Sequence, residues 1–171
     1  MRAWGVLFPG VWAHELAHAA ACVVSGVSIH EMHLGTTKGH VVHDASNMRG
    51  SILISTAPLV VGFILATLLL AYAKTEGGRD PIVCALLFWV GFSIAFHAIP
   101  STRDMMNVFH TIPRRVGETW QHARPVWEKL AKTGVYAVAW PLVGIGVLLV
   151  MLVNSTVLFR FAWALGVVFW A

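Results

Sequence analysis

The chain has 171 residues, 57% of them hydrophobic and 12% charged, with a net charge of +4 and a mean hydropathy of +0.71. A water-soluble domain of this size carries about a quarter charged residues and cannot hide such apolar runs in one core, which excludes a soluble class and places the chain in lipid.

Spanning the hydrocarbon takes about 20 mostly apolar residues in helical form. Four stretches approach or meet that length, at about 4–25, 51–73, 82–100 and 135–153. A fifth, 157–171, is shorter and reads as a tilted span, a re-entrant segment or an interfacial helix. The expected fold is an all-α integral membrane protein, a polytopic bundle of four to five transmembrane helices forming one membrane-embedded domain over 1–171.

The first stretch also has features of a leader, since Met1 and Arg2 precede it and Ala19-Ala20-Ala21-Cys22 resembles a lipoprotein cleavage site. His14, Glu15 and His18 inside its apolar region argue against that reading and for a retained span. Both cysteines, Cys22 and Cys84, fall within spans, so no disulfide framework is implied.

After the first span, 27–34 and 40–44 flank Gly35-Thr36-Thr37-Lys38-Gly39, a pattern that predicts a small β-hairpin with a glycine-containing turn. His30, His33, His40 and His43 cluster there, read as solvated side chains with metal binding or pH sensing as the alternative. Between the third and fourth spans, 113–133 mixes Trp120, Val126, Trp127 and Leu130 with basic residues, which predicts an amphipathic interfacial helix. Tryptophans are expected as interface anchors, and Asn154 and Arg160 mark a bend or a second interface.

Basic residues give an orientation, because cytoplasmic loops carry the excess of Lys and Arg. Lys38 and Arg49 follow the first span; Arg103, Arg114, Arg115, Arg124, Lys129 and Lys132 follow the third; only Lys74 and Arg79 follow the second. The first and third loops should face the cytoplasm, and basic loops against anionic headgroups account for the net charge with no nucleic-acid partner.

The chemistry sits at His14-Glu15-Leu16-Ala17-His18, the pattern H-E-x-x-H. On a helix, residues four apart share a face, so two imidazoles converge on one metal while the glutamate reaches the activated water. From this chain's His and Glu content, roughly 0.01 chance matches are expected, and ionisable residues within a span usually serve a function. Catalytic zinc generally takes three protein ligands. Asp104 is the best candidate for the third, His97 its rival and Cys22 a remote alternative.

At this point the chain resembles the site-2 protease family of intramembrane metalloproteases, which pairs H-E-x-x-H with a later N-x-x-P-x(4)-D-G motif. His97 stands where that Asn would be, Pro100 matches the Pro and Asp104 the Asp, while Ala57-Pro58-Leu59 resembles the family's A-G-P-L segment. Three features depart from the pattern: His for Asn, an interval from Pro100 to Asp104 one residue shorter, and Met105 in place of Gly. The resemblance covers about 4–110 and implies a divergent, minimal member. It implies one zinc ion per chain held by His14, His18 and Asp104, with Glu15 as general base. His97 would position the substrate or donate to the oxyanion. The implied substrate is a membrane-spanning protein segment cut in the bilayer, at a site opening toward the cytoplasm. Arg103 is either an orienting neighbour of Asp104 or an interfacial cation. Readings from other classes are a membrane zinc transporter, since some permeases place the same motif on a span, and an inactive pseudoprotease scaffold.

Overall fold

A short 3-10 turn, Ala3–Leu7, leads into α1, Phe8–Val24, whose first turn accommodates Pro9 because amides there have no helical acceptor. The computed structural model describes residues 3–75, 80–122 and 125–171. Met1 and Arg2 of the leader reading, and Arg79 and Arg124 of the charge count, lie outside the described residues. Helix α1 runs unbroken through 19–22 and ends in a left-handed glycine cap. Gly26, at φ 65°, donates to the Val23 carbonyl and Val27 donates to the Cys22 carbonyl.

The expected hairpin follows. Strand β1, Ile29–Leu34, pairs antiparallel with β2, Gly39–His43, with a bulge between Ile29 and Glu31. Both strands pack on α1, and the Trp12 indole donates to the Gly35 carbonyl in the turn, 3.2 Å away.

Helices α2, Met48–Thr75, and α3, Pro81–His97, form the centre with α1. The buried stripe of α2 includes Ser51, Ser55, Ala57, Gly62, Ala66 and Ala73, small residues that let helix backbones approach closely. Helices α1 and α3 meet most tightly at Gly10. Its amide donates to Ser93 Oγ at 2.8 Å, and a Cβ there would lie 2.0 Å from the Ser93 carbonyl oxygen. Only glycine permits that approach.

The chain then breaks over 98–101 and starts α4, Thr102–Gln121, whose first half falls in the loop expected after the third span. The expected amphipathic helix over 113–133 is not one element. Helix α4 ends at Gln121, His122 is extended, and α5, Val126–Ser155, begins after Pro125, which has no amide to continue the earlier helix. Helix α5 therefore starts nine residues before the expected span (135 against 126). It lies on α4, with Phe109 and Trp140 rings 5.4 Å apart.

The last stretch forms α6, Val157–Trp170, about 21 Å long at 1.5 Å per residue and so shorter than the hydrocarbon core. It packs against α2 and α3: Ala164 and Val167 join Ala66, Leu70, Ala95 and Phe96 in one buried cluster. Among the described residues, four stretches are long and apolar enough to cross a membrane: Gly5–Val24, Met48–Thr75, Pro81–Gln121 and Val126–Ser155.

Candidate metal centre

Helix α1 carries the H-E-x-x-H sequence at its middle and turns His14, Glu15 and His18 toward one cavity of about 730 Å³. The wall facing them comes from β2 and the residues after it, from α2, and from the first four turns of α4.

Each histidine ring is oriented by a backbone carbonyl that its own helix cannot use. His18 Nδ1–H donates to the Ile54 carbonyl at 2.7 Å. In a regular helix that carbonyl would accept from the amide four residues on, but position 58 is Pro58, which has none. The proline inside α2 thus frees the acceptor that fixes His18. His14 Nδ1–H donates to the His97 carbonyl at 2.7 Å, and His97 is the last residue of α3, where carbonyls lack helical partners. Both rings therefore carry the proton on Nδ1 and present Nε2 to the cavity.

The third donor comes from the first turn of α4. Ser101 caps that helix by accepting from the Asp104 amide at 3.2 Å, while Asp104 Oδ2 accepts from the Ser101 amide at 2.7 Å, a reciprocal capping box. The box anchors the carboxylate and aims it at the histidines. Oδ1 lies 3.4 Å from His18 Nε2, and Oδ2 lies 3.6 Å from His14 Nε2. The two Nε2 atoms are 3.1 Å apart.

These separations fit a zinc site. Bonds of about 2.0–2.2 Å in a tetrahedron place neighbouring donors about 3.3 Å apart. Two imidazole lone pairs and a carboxylate confronting one another at these distances repel unless a proton or a metal cation lies between them. Among the described residues this is the one group of three or more His, Cys, Asp or Glu side chains with donor atoms within 4.8 Å of one another.

Glu15 is buried in the same cavity, and the strand opposite comes very close to it. A Cβ on Gly39, the first residue of β2, would fall 2.4 Å from Glu15 Cγ, so glycine at this position leaves the carboxylate its room.

The remaining candidates fall elsewhere. The His97 ring donates from Nδ1 to the Ser93 carbonyl at 3.1 Å and meets Phe96 edge-on; it is not among the residues lining the cavity, and its carbonyl is what reaches the centre. Cys22 is fully buried among Ala17, Ala21, Ile54 and Ala57. Arg103 is exposed at the cavity rim. In the hairpin, His30 pairs with Asp44 at 2.7 Å, His40 with Glu31 at 3.3 Å, and the His33 and His40 rings stack across the strands. The His30 imidazole holds the Asp44 carboxyl below the usual carboxylate range.

Sequence reasoning missed Ser101, Asn107 and His110, all in the cavity wall. Ser101-Thr102-Arg103-Asp104 is a capping-box signature and was open to being read; Asn107 and His110 follow Asp104 on the same face once a helix starts there. Compared with known proteins, no family model matches the chain, and neither a curated protein nor a solved structure matches it.

Proposed function

We propose that this chain is an intramembrane zinc metallopeptidase, a divergent member of the site-2 protease family, that hydrolyses a peptide bond in or beside a membrane-spanning segment. The observation that carries the reading is the convergence of His14 Nε2, His18 Nε2 and the Asp104 carboxylate in a cavity that also holds Glu15. His14, His18 and Asp104 would hold a zinc ion, which would supply Lewis acidity toward the scissile carbonyl and bring the pKa of water toward about 7.

The protein's own groups do the rest. Glu15 takes one proton from the attacking water as the new carbon–oxygen bond forms, and returns it to the departing amine as the carbon–nitrogen bond breaks. His97 contributes through its carbonyl, which holds the His14 ring in place. Ser51, Ser55, Asn107 and Thr111 line the cavity with hydroxyl and amide groups, a polar surface suited to admitting water into an otherwise apolar bundle. Strand β2 pairs with β1 on one side only, and residues 39–43 line the cavity, so its other edge is available to hold an unwound substrate strand extended. The basic residues of α4 and of the start of α5 would set this opening toward the cytoplasm.

Glu15→Gln tests the mechanism. The variant is expected to bind zinc as the parent does and to lose hydrolysis of a membrane-segment substrate in detergent or liposomes; unchanged cleavage overturns the proposal. The same variant separates the other classes, because a transporter would lose flux and a scaffold would lose nothing.

A further inference from the structure

We propose that Arg160, on the terminal helix α6, is a positioning residue for the Asp104 arm of the metal centre, acting through Asn154 and the Pro100 carbonyl; the inference rests on the reading of His14, His18 and Asp104 as ligands.

Arg160 is the only charged residue in α6. A charge in so apolar a helix is costly in lipid and calls for a partner. Thr156 is extended and separates α5 from α6, so the chain turns back and Arg160 meets Asn154. Its Nε and Nη2 both donate to Asn154 Oδ1, with the Nε contact at 3.0 Å. This double donation sets the amide's orientation, since an oxygen occupied by the guanidinium leaves the NH₂ group to face the other way. That group, Asn154 Nδ2, donates to the Pro100 carbonyl at 3.1 Å.

Pro100 immediately precedes Ser101, whose amide and hydroxyl form the capping box with Asp104. The relay therefore runs from a terminal helix, through one side-chain amide, to the turn that aims the third donor. Without Arg160, the Asn154 side chain loses the partner that holds its oxygen, its bond to the Pro100 carbonyl is no longer fixed in place, and the turn loses its brace. Groups hydrogen-bonded directly to metal ligands typically contribute 10–100-fold in metal affinity, and Arg160, further along the relay, stands at the low end of that range.

The test is zinc affinity of the metal-free full chain in detergent, measured by competition with a chromophoric chelator. Arg160→Met is expected to weaken zinc binding about 10-fold, and Arg160→Lys, which keeps the charge and a donor, to recover most of it. Asn154→Asp keeps an acceptor for Arg160 but has no NH₂ for Pro100, and is expected to show a comparable loss. In an Asp104→Asn background, adding Arg160→Met should cost nothing more, because the two act on one arm. Parental affinity in both Arg160→Met and Asn154→Asp overturns the inference, as does an equal loss with and without Asp104. If the unmodified chain binds no zinc, or if His14→Ala, His18→Ala and Asp104→Asn all bind as it does, the metal reading itself fails and the positioning role falls with it.

Discussion

Helices α2 and α5 are nearly matched as candidate spans: 28 and 30 residues, similarly apolar, each with one internal proline, Pro58 and Pro141. Yet α2 buries ten residues and α5 buries only Val147. The difference lies in side-chain size. The inner stripe of α2 is mostly glycine, alanine and serine, which permit close helix contact when lipid and side chains are equally apolar and packing must come from fit. Helix α5 offers Leu142, Leu148, Leu149 and Leu152, all exposed, and holds to the bundle mainly through α4. Length and apolarity identify a span; the small-residue stripe identifies the span that builds a site.

The comparison is broken most directly at the two prolines. Replacing Pro58 by Ala restores an amide to α2, which then competes with His18 for the Ile54 carbonyl. The helix should become more regular while zinc affinity falls about 10–100-fold, read by chelator competition. Pro141→Ala on α5 should leave zinc affinity unchanged. Equal effects from both would mean that Pro58 serves the helix and not the site.

A smaller effect is expected from packing alone. Leu70 on α2 is fully buried and Leu148 on α5 is 66% exposed. Leu70→Ala should destabilise the bundle by about 2 kcal/mol, near the low end for buried leucine, because in lipid the cavity term remains but the transfer from water does not. Leu148→Ala should stay within about 0.5 kcal/mol. Unfolding in a denaturing detergent measures both.

Much of this arrangement was written in local sequence. The hairpin appears at 29–34 and 39–43 where alternation and the 35–39 turn predicted 27–34 and 40–44, and the H-E-x-x-H residues share one helical face as their spacing requires. Helix α4 was misread because its start depends on the Ser101–Asp104 capping box, and because the 113–133 pattern was carried across Pro125. The supporting contacts were not legible. The Ile54 carbonyl and His18 are 36 positions apart, and Asn154 and Pro100 are 54 apart. Nothing in the periodicity of either segment announces which freed carbonyl meets which donor. A proline inside an apolar run signals an orphan acceptor; only the packing of α1 on α2 says who takes it.

The smallest expected effect tests whether helix identity or helix face governs the comparison. Val60 and Ile64 lie on α2 between buried positions 58, 62 and 66, yet are 54% and 51% exposed, turned away from α1 and α3. If α2 matters because of its inner stripe, Val60→Ala and Ile64→Ala should each change stability by no more than about 0.5 kcal/mol, as Leu148→Ala does on α5. Ala66→Leu, a few residues away on the inner stripe, forces bulk into a fully buried position and should cost about 1–3 kcal/mol. Destabilisation at Val60 matching that at Ala66 would mean that α2 is surrounded on all sides. Its outward surface would then be covered by protein, and the contrast with α5 would be one of position in an assembly and not of residue size.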